Sequence, residues 1–197
     1  MQKNLIKAKD TTNAQQVAKM SSQLDKLTIL INDLLDLTKI QGGKLQFNEK
    51  LFDFDKLVKD TIEEMQQTTQ DHVIKLQGST KKKLLADEDR IRQVLINLLS
   101  NAIKYSPQAK RILVQLSSSK QEITCGVKDY GLGISKEHRE KIFERFFRSG
   151  SKTQTYPGMG LGLYISKQII ERQGGKIWVE SEEGKGSLFC FSLPVKS

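Results

Sequence analysis

The sequence contains no apolar run approaching the roughly 18–20 residues a membrane-spanning helix needs, so no segment of it is expected to cross a bilayer. Its opening stretch, MQKNLIKAKDTTNAQQ, lacks the apolar core of a secretory signal. Cysteine is scarce. Cys125 and Cys190 stand far apart in apolar alternating runs with no CxxC, which points to two reduced core thiols and a cytoplasmic compartment. There is no internal repeat, no low-complexity tract, and no zinc, RNP or recognition-helix pattern.

What the chain does have is positive charge, a net +9 over 197 residues. The lysines are scattered, with Lys81, Lys82 and Lys83 the only run, so a nucleic-acid partner is not expected. A solvated basic surface accounts for the charge, and attraction to a phosphate ligand or an acidic partner protein is the sharper alternative. An apolar fraction of 37% and a mean hydropathy of −0.46 describe a soluble, charged protein with room for one domain and an appendage.

The appendage comes first. Val17, Met20, Leu24, Leu27, Ile31 and Leu34 recur at steps of three and four, and Leu30, Leu35, Leu37 and Ile40 widen that seam. Such a face suits a helix bundle and cannot be buried by one helix alone. Residues 1–9 read as the stub of a preceding helix, and QGGK at 41–44 stops the long one. From residue 45 the pattern becomes mixed. A helix capped by Asp53, a strand in HVIKLQG, a helix opening at Asp87 and a hairpin from RILVQLSSS to EITCGVKDY follow in order. Next come a short helix capped by Ser135, a polar loop over 148–160, a helix in GLYISKQIIERQGG and a closing hairpin. The expected fold is α+β: a two-layer sandwich of a mixed sheet of about five strands with three helices on one face, occupying 45–197 behind a helical segment over 1–44.

Three stretches carry polar groups where packing alone would not put them. On a wheel of about 100° per residue, Leu95, Leu98 and Ala102 cluster near Ile91, while Asn97, Asn101 and Lys104 form a polar arc beside them. Two amide oxygens and one ammonium in a small volume suit both a hard cation and an anion, as Mg²⁺ on a polyphosphate would be. DYGLGIS places Asp129 at a strand's mouth, and Gly131 and Gly133 let the backbone turn close to a flat ligand. A carboxylate there can accept a hydrogen bond from an exocyclic amine such as adenine's. GMGLGLYI, from Gly158 to Ile165, leaves successive backbone N–H groups open at a helix start, a geometry that binds phosphate. Neither glycine motif is a Rossmann fingerprint or a Walker A loop.

In this order NLLSNAIKYSP, DYGLGI, IFERFFR and GMGLGLYI resemble the N, G1, F and G2 boxes of the sensor histidine kinases, members of the Bergerat-type ATPases along with gyrase and mismatch-repair proteins. LDKLTILINDLLDLTKIQGGKL is similar to the second helix of that family's dimerisation domain. The resemblance implies that Asn101, with support from Asn97, holds Mg²⁺, that Lys104 neutralises the triphosphate and that Tyr105 lines the ATP pocket. It implies that Asp129 binds the adenine amine with help from Ser187, beside Gly131, Gly133 and Ile134. Gly158, Gly160, Leu161 and Gly162 would wrap the phosphates, and Arg145 and Arg148, set among Phe143, Phe146 and Phe147, would reach the γ-phosphate. The implied reaction is γ-phosphoryl transfer to a histidine, followed by relay to an aspartate of a response regulator, in a homodimer formed through the helical segment.

One departure stands out. The family's acceptor histidine, in a Ser-His-Glu/Asp-Leu context, has no counterpart here, since His72 and His138 lie elsewhere and are expected to be exposed surface residues. The acceptor is therefore expected in a preceding segment of a longer protein, where any membrane anchor would also lie. An anti-sigma-factor-type serine kinase and a non-catalytic ATP-binding module are the alternatives; the long apolar seam and FERFFR argue against the first.

Overall fold

The structure is a computed structural model that describes residues 2–148 and 159–195. The chain divides into two compact units, Met1–Lys44 and Leu45–Ser197. The first is helix α1, Gln2–Gln41, unbroken through the residues read above as a separate stub. Its seam residues Val17, Met20, Leu24, Leu27, Ile31 and Leu34 are all at least half exposed. Gly43, with φ of 64°, takes the left-handed turn that follows its last residue, a conformation glycine adopts without a Cβ penalty.

The second unit is a two-layer sandwich. Its main sheet runs β2 (Val73–Gly78), β4 (Arg111–Ser118), β5 (Glu122–Lys128), β7 (Gly186–Pro194) and β6 (Lys176–Glu182) in spatial order. Only the β2–β4 pair is parallel. Alternation turns Ile112, Val114, Ile123, Cys125, Val127, Phe189 and Phe191 inward, where they are buried. Helices α2 (Phe54–Gln67), α3 (Glu88–Tyr105) and α4 (Gly162–Arg172) cover them, with α3 packed between the other two. Phe54 opens α2 and meets Phe191 edge to face at 6.3 Å, tying the two layers together. The caps read at Asp53 and Asp87 are present. Asp53 accepts from the Lys56 N–H, and Asp87 accepts from the Arg90 N–H, each at 3.0 Å. Cys125 and Cys190 are free, buried thiols, and burial pushes the Cys190 thiol up to about 11.

Three local features differ from the sequence reading. A two-stranded ribbon, β1 (Lys50–Asp53) with β3 (Lys83–Ala86), was not anticipated. The expected short helix from Ser135 is a series of turns ending in one 3₁₀ turn, Lys141–Phe143, which is enough to bury Ile142 and Phe143. His72 is not a surface residue. It is 4% exposed, with Nε2 2.9 Å from the Ser106 carbonyl and Nδ1 3.2 Å from Thr69 Oγ1. Its position at the entry to β2, against the end of α3, supplies partners for both ring nitrogens, so burial leaves neither nitrogen unsatisfied.

Candidate functional site

Helix α3 forms the floor of the site. Its start is stabilised by the Asp87 cap and by Glu88 and Asp89 in the first turn, and Lys104 lies in the last turn, as the helix dipole favours. Ile91, Val94, Leu95, Leu98, Leu99 and Ala102 are buried, while Asn97, Asn101, Lys104 and Tyr105 stay half-buried along one edge. Within that edge, Asn97 Nδ2 donates to Ser166 Oγ of α4 at 2.9 Å, and Asn101 Nδ2 reaches Asn97 Oδ1 at 3.4 Å. The Lys104 ammonium lies 4.8 Å from the Tyr105 ring centroid.

The loop after β5 packs on the far end of the same helix. Leu132 N–H donates to the Tyr105 carbonyl at 3.1 Å, and a Cβ on Gly131 would collide with that same carbonyl. Gly133 has φ of 67°, and a Cβ there would strike the Glu182 carbonyl. Two independent constraints, close approach and backbone sign, therefore require the two glycines. Asp129 is buried. Its Oδ1 accepts from Gly131 N–H at 2.9 Å and from Ser187 N–H at 3.2 Å, and the Ser187 hydroxyl also bonds the carboxylate. Burial raises its pKa above the ordinary value of 3.8, and these hydrogen bonds only partly oppose that.

A residue the sequence reading missed organises this end. Ser181 of β6 accepts the Ile134 N–H at 2.8 Å, donates to the Gly186 carbonyl at 2.9 Å and lies 3.0 Å from Ser187 Oγ. One hydroxyl thus links the loop to both strands of the closing hairpin. Its only sequence signal was a serine at the end of a strand, among glutamates. Ser166 was missed too, although its position four residues after Gly162 puts the two on one face of α4.

The third motif enters from the other side. Gly162 opens α4 against Asn97, and a Cβ there would run into the Asn97 amide. Leu161 is fully buried, and Gly160, with φ of 71°, accepts the Phe146 N–H at 3.1 Å. Phe146 itself has φ of 61° and is 59% exposed. Strain of this kind at a non-glycine residue is characteristic of functional segments. Arg145 and Arg148 are exposed, and the Arg145 guanidinium sits 5.9 Å from the Tyr164 ring; no described contact joins Arg145 to Asn97 or Asn101. Gly158 lies outside the described residues.

The donor set limits which metal fits. Among the described residues no three His, Cys, Asp or Glu side chains gather as a metal cluster, and the oxygens on the α3 edge are neutral amides. Such a site suits a hard cation that brings most of its ligands with it, on phosphate and water.

Comparison with known proteins agrees with this arrangement. Residues 86–197 match the family described as histidine kinase-, DNA gyrase B- and HSP90-like ATPase. The chain is 36% identical over 180 residues to the sensor histidine kinase WalK of Bacillus subtilis (strain 168), covering 89% of this chain and 30% of that protein. It is 34% identical over 178 residues to the adaptive-response sensory kinase SasA of Synechococcus elongatus, covering 88% of this chain and 46% of the relative. The chain thus spans 30% and 46% of the length of these two curated relatives. Among solved structures, full-length ShkA in complex with AMPPNP aligns with a TM-score of 0.74 at 27% identity, over 88% of this chain and 37% of that one. The mycobacterial sensor histidine kinase MprB aligns with a TM-score of 0.66 at 28% identity, over 75% of this chain and 97% of that one. The chain belongs to the histidine kinase-, DNA gyrase B- and HSP90-like ATPases and carries the ATP-binding domain of a sensor histidine kinase.

Proposed function

We propose that residues 45–197 bind Mg·ATP and transfer its γ-phosphoryl group to a histidine outside this chain, for relay to an aspartate of a response regulator. The observation that carries this reading is the convergence of three motifs on α3. Gly162 packs on Asn97 at one point of the helix, and Gly131 and Leu132 pack on Tyr105 at its end. Asn101 and Lys104 lie between those two contacts, so adenine and phosphate groups would be gathered along one helix edge. ATP is also what the related ShkA structure suggests, since AMPPNP is an ATP analogue.

In this mechanism Asp129 accepts from the adenine amine, with the Ser187 hydroxyl beside it. Asn101, supported by Asn97, holds the metal ion, which when bound neutralises charge on the phosphates. Lys104 pairs with phosphate oxygens, and Tyr105 lines the nucleotide pocket. Gly160, Leu161 and Gly162 would lie against the phosphates at the start of α4, and Arg145 and Arg148 would approach the γ-phosphate. The protein's share is positioning and charge neutralisation, as is general for phosphoryl transfer. The incoming nucleophile is a neutral imidazole, so no strong protein base is required. Residues 1–44 are proposed as part of the helical dimerisation domain, whose exposed α1 seam would pair in a homodimer.

Within the chain itself His72 is buried, and His138 lies 3.1 Å from Ser135 Oγ with its ring 5.4 Å from that of Phe147. Incubation with γ-labelled ATP is therefore expected to leave no acid-labile label on this chain alone and to label a supplied histidine-bearing dimerisation helix. Label on the chain alone would refute the assignment of the acceptor. ATP binding with no label on any supplied helix would favour a non-catalytic module.

A further inference from the structure

We infer that Ser166 of α4 is a positioning residue for the metal site, acting through a hydrogen-bond relay that orients the Asn101 carbonyl oxygen. The inference rests on the reading above that Asn101 binds the metal.

An amide side chain has two nearly isosteric ends, and a metal ligand is useful only if its oxygen faces the ion. The orientation of Asn101 is set from outside α3. Ser166 is 2% exposed and accepts from Asn97 Nδ2 at 2.9 Å. With its NH₂ committed to Ser166, Asn97 presents Oδ1 along the helix, where Asn101 Nδ2 meets it at 3.4 Å. The Asn101 amide nitrogen is thereby occupied, and among the described residues nothing donates to its Oδ1. Gly162 keeps the Asn97 amide in place, since any side chain at 162 would displace it. Helix α4 thus anchors, through Ser166, the pair of amides that ends at the metal ligand proposed on α3. Partners of this outer kind commonly govern metal affinity nearly as strongly as the ligands do.

AMPPNP titrated into the 197-residue chain, once with excess Mg²⁺ and once with EDTA, separates metal-supported from metal-free affinity. Ser166→Ala is expected to weaken binding roughly 10-fold in Mg²⁺ while leaving the EDTA value unchanged, and Ser166→Thr, which keeps the hydroxyl, to recover part of the loss. In the ligand-free protein, the side-chain NH₂ resonances of Asn97 and Asn101 should both move in Ser166→Ala, while that of Asn48 stays in place. A Ser166→Ala protein that keeps the full Mg²⁺ effect, or one whose Asn101 amide signal is unmoved, would overturn the relay. Equal weakening in Mg²⁺ and EDTA would overturn it as well, by making Ser166 a general packing residue. Asn101→Ala is the separate control. If it, too, keeps the Mg²⁺ effect, the metal assignment itself fails, whatever Ser166 does.

Discussion

The two ends of the site are held by different means. At the Asp129 end, backbone groups do most of the work: Gly131, Ser187, Ile134 and Leu132 each commit an N–H, and glycines let main chains touch. At the Asn97–Asn101 end the described hydrogen bonds run from side chain to side chain, amide to hydroxyl and amide to amide, with Gly162 packed against them. Backbone-held geometry is insensitive to most substitutions and fails at a glycine or at the one buried carboxylate. Geometry held by side chains yields to a single conservative change. On the proposed reading, the Asp129 end should therefore behave as a rigid template for adenine and the Asn97–Asn101 end as an adjustable one for the phosphates.

The strongest test of the template is Asp129→Asn. The amide oxygen can still accept the Gly131 and Ser187 N–H groups, so the loop should keep its shape. What disappears is the charged acceptor proposed for the adenine amine, and hydrogen bonds to charged groups are worth about 1.5–3 kcal/mol. AMPPNP affinity measured by calorimetry should fall at least ~10-fold, in Mg²⁺ and EDTA alike. A loss confined to the Mg²⁺ titration would mean the two ends are not independent.

Gly162→Ala attacks the other end. The new Cβ would overlap the Asn97 amide, which has to shift, and overpacking of this kind costs roughly 1–3 kcal/mol. Denaturant titration should show that loss, and nucleotide affinity should fall more in Mg²⁺ than in EDTA. A smaller effect is expected from Ser181→Ala. It leaves the Ile134 N–H and the Gly186 carbonyl without their partner, a cost of about 1–2 kcal/mol in stability. In a domain of this size the melting temperature should drop by about 2–8 °C. Nucleotide affinity should weaken independently of metal, because only the adenine end is loosened.

The same division explains what was legible in the sequence. Helices α2, α3 and α4 and the strands of the five-stranded sheet announce themselves through periodicity and caps, because burial on one face selects residue type at regular spacing. The β1–β3 ribbon has strands of four residues each, too short for alternation to register, and Asp53 serves at once as a strand end and a helix cap. At Ser135–Phe147 the charged run permits a helix, but burying Ile142 and Phe143 beside α4 takes only one tight turn. His72 was misread because the partners of its Nε2, the Ser106 carbonyl and hydroxyl, lie 34 positions away. Ser166 and Ser181 went unseen for a related reason. A lone hydroxyl carries no pattern, and its role depends on what tertiary packing brings within hydrogen-bonding reach.

The smallest expected effect concerns the ligand-free protein. Asp129 has its folded pKa raised above 3.8, chiefly by burial, so its charged form is disfavoured in the folded state relative to the unfolded chain. Raised folded-state affinity for the proton means that ionisation costs stability above the folded pKa, and that this cost vanishes as pH falls below about 3.8, where the group is neutral in both states. Asp129→Asn removes the cost while keeping the two acceptor contacts. The variant should therefore melt slightly higher than wild type at neutral pH without nucleotide, by about 2–4 °C for each kcal/mol relieved, with the gap closing as pH approaches 3.8. A gap of the opposite sign would mean that the hydrogen bonds to the charged carboxylate outweigh burial. Asp129 would then stabilise the fold as well as bind adenine, and the adenine end would no longer be a site that trades stability for binding.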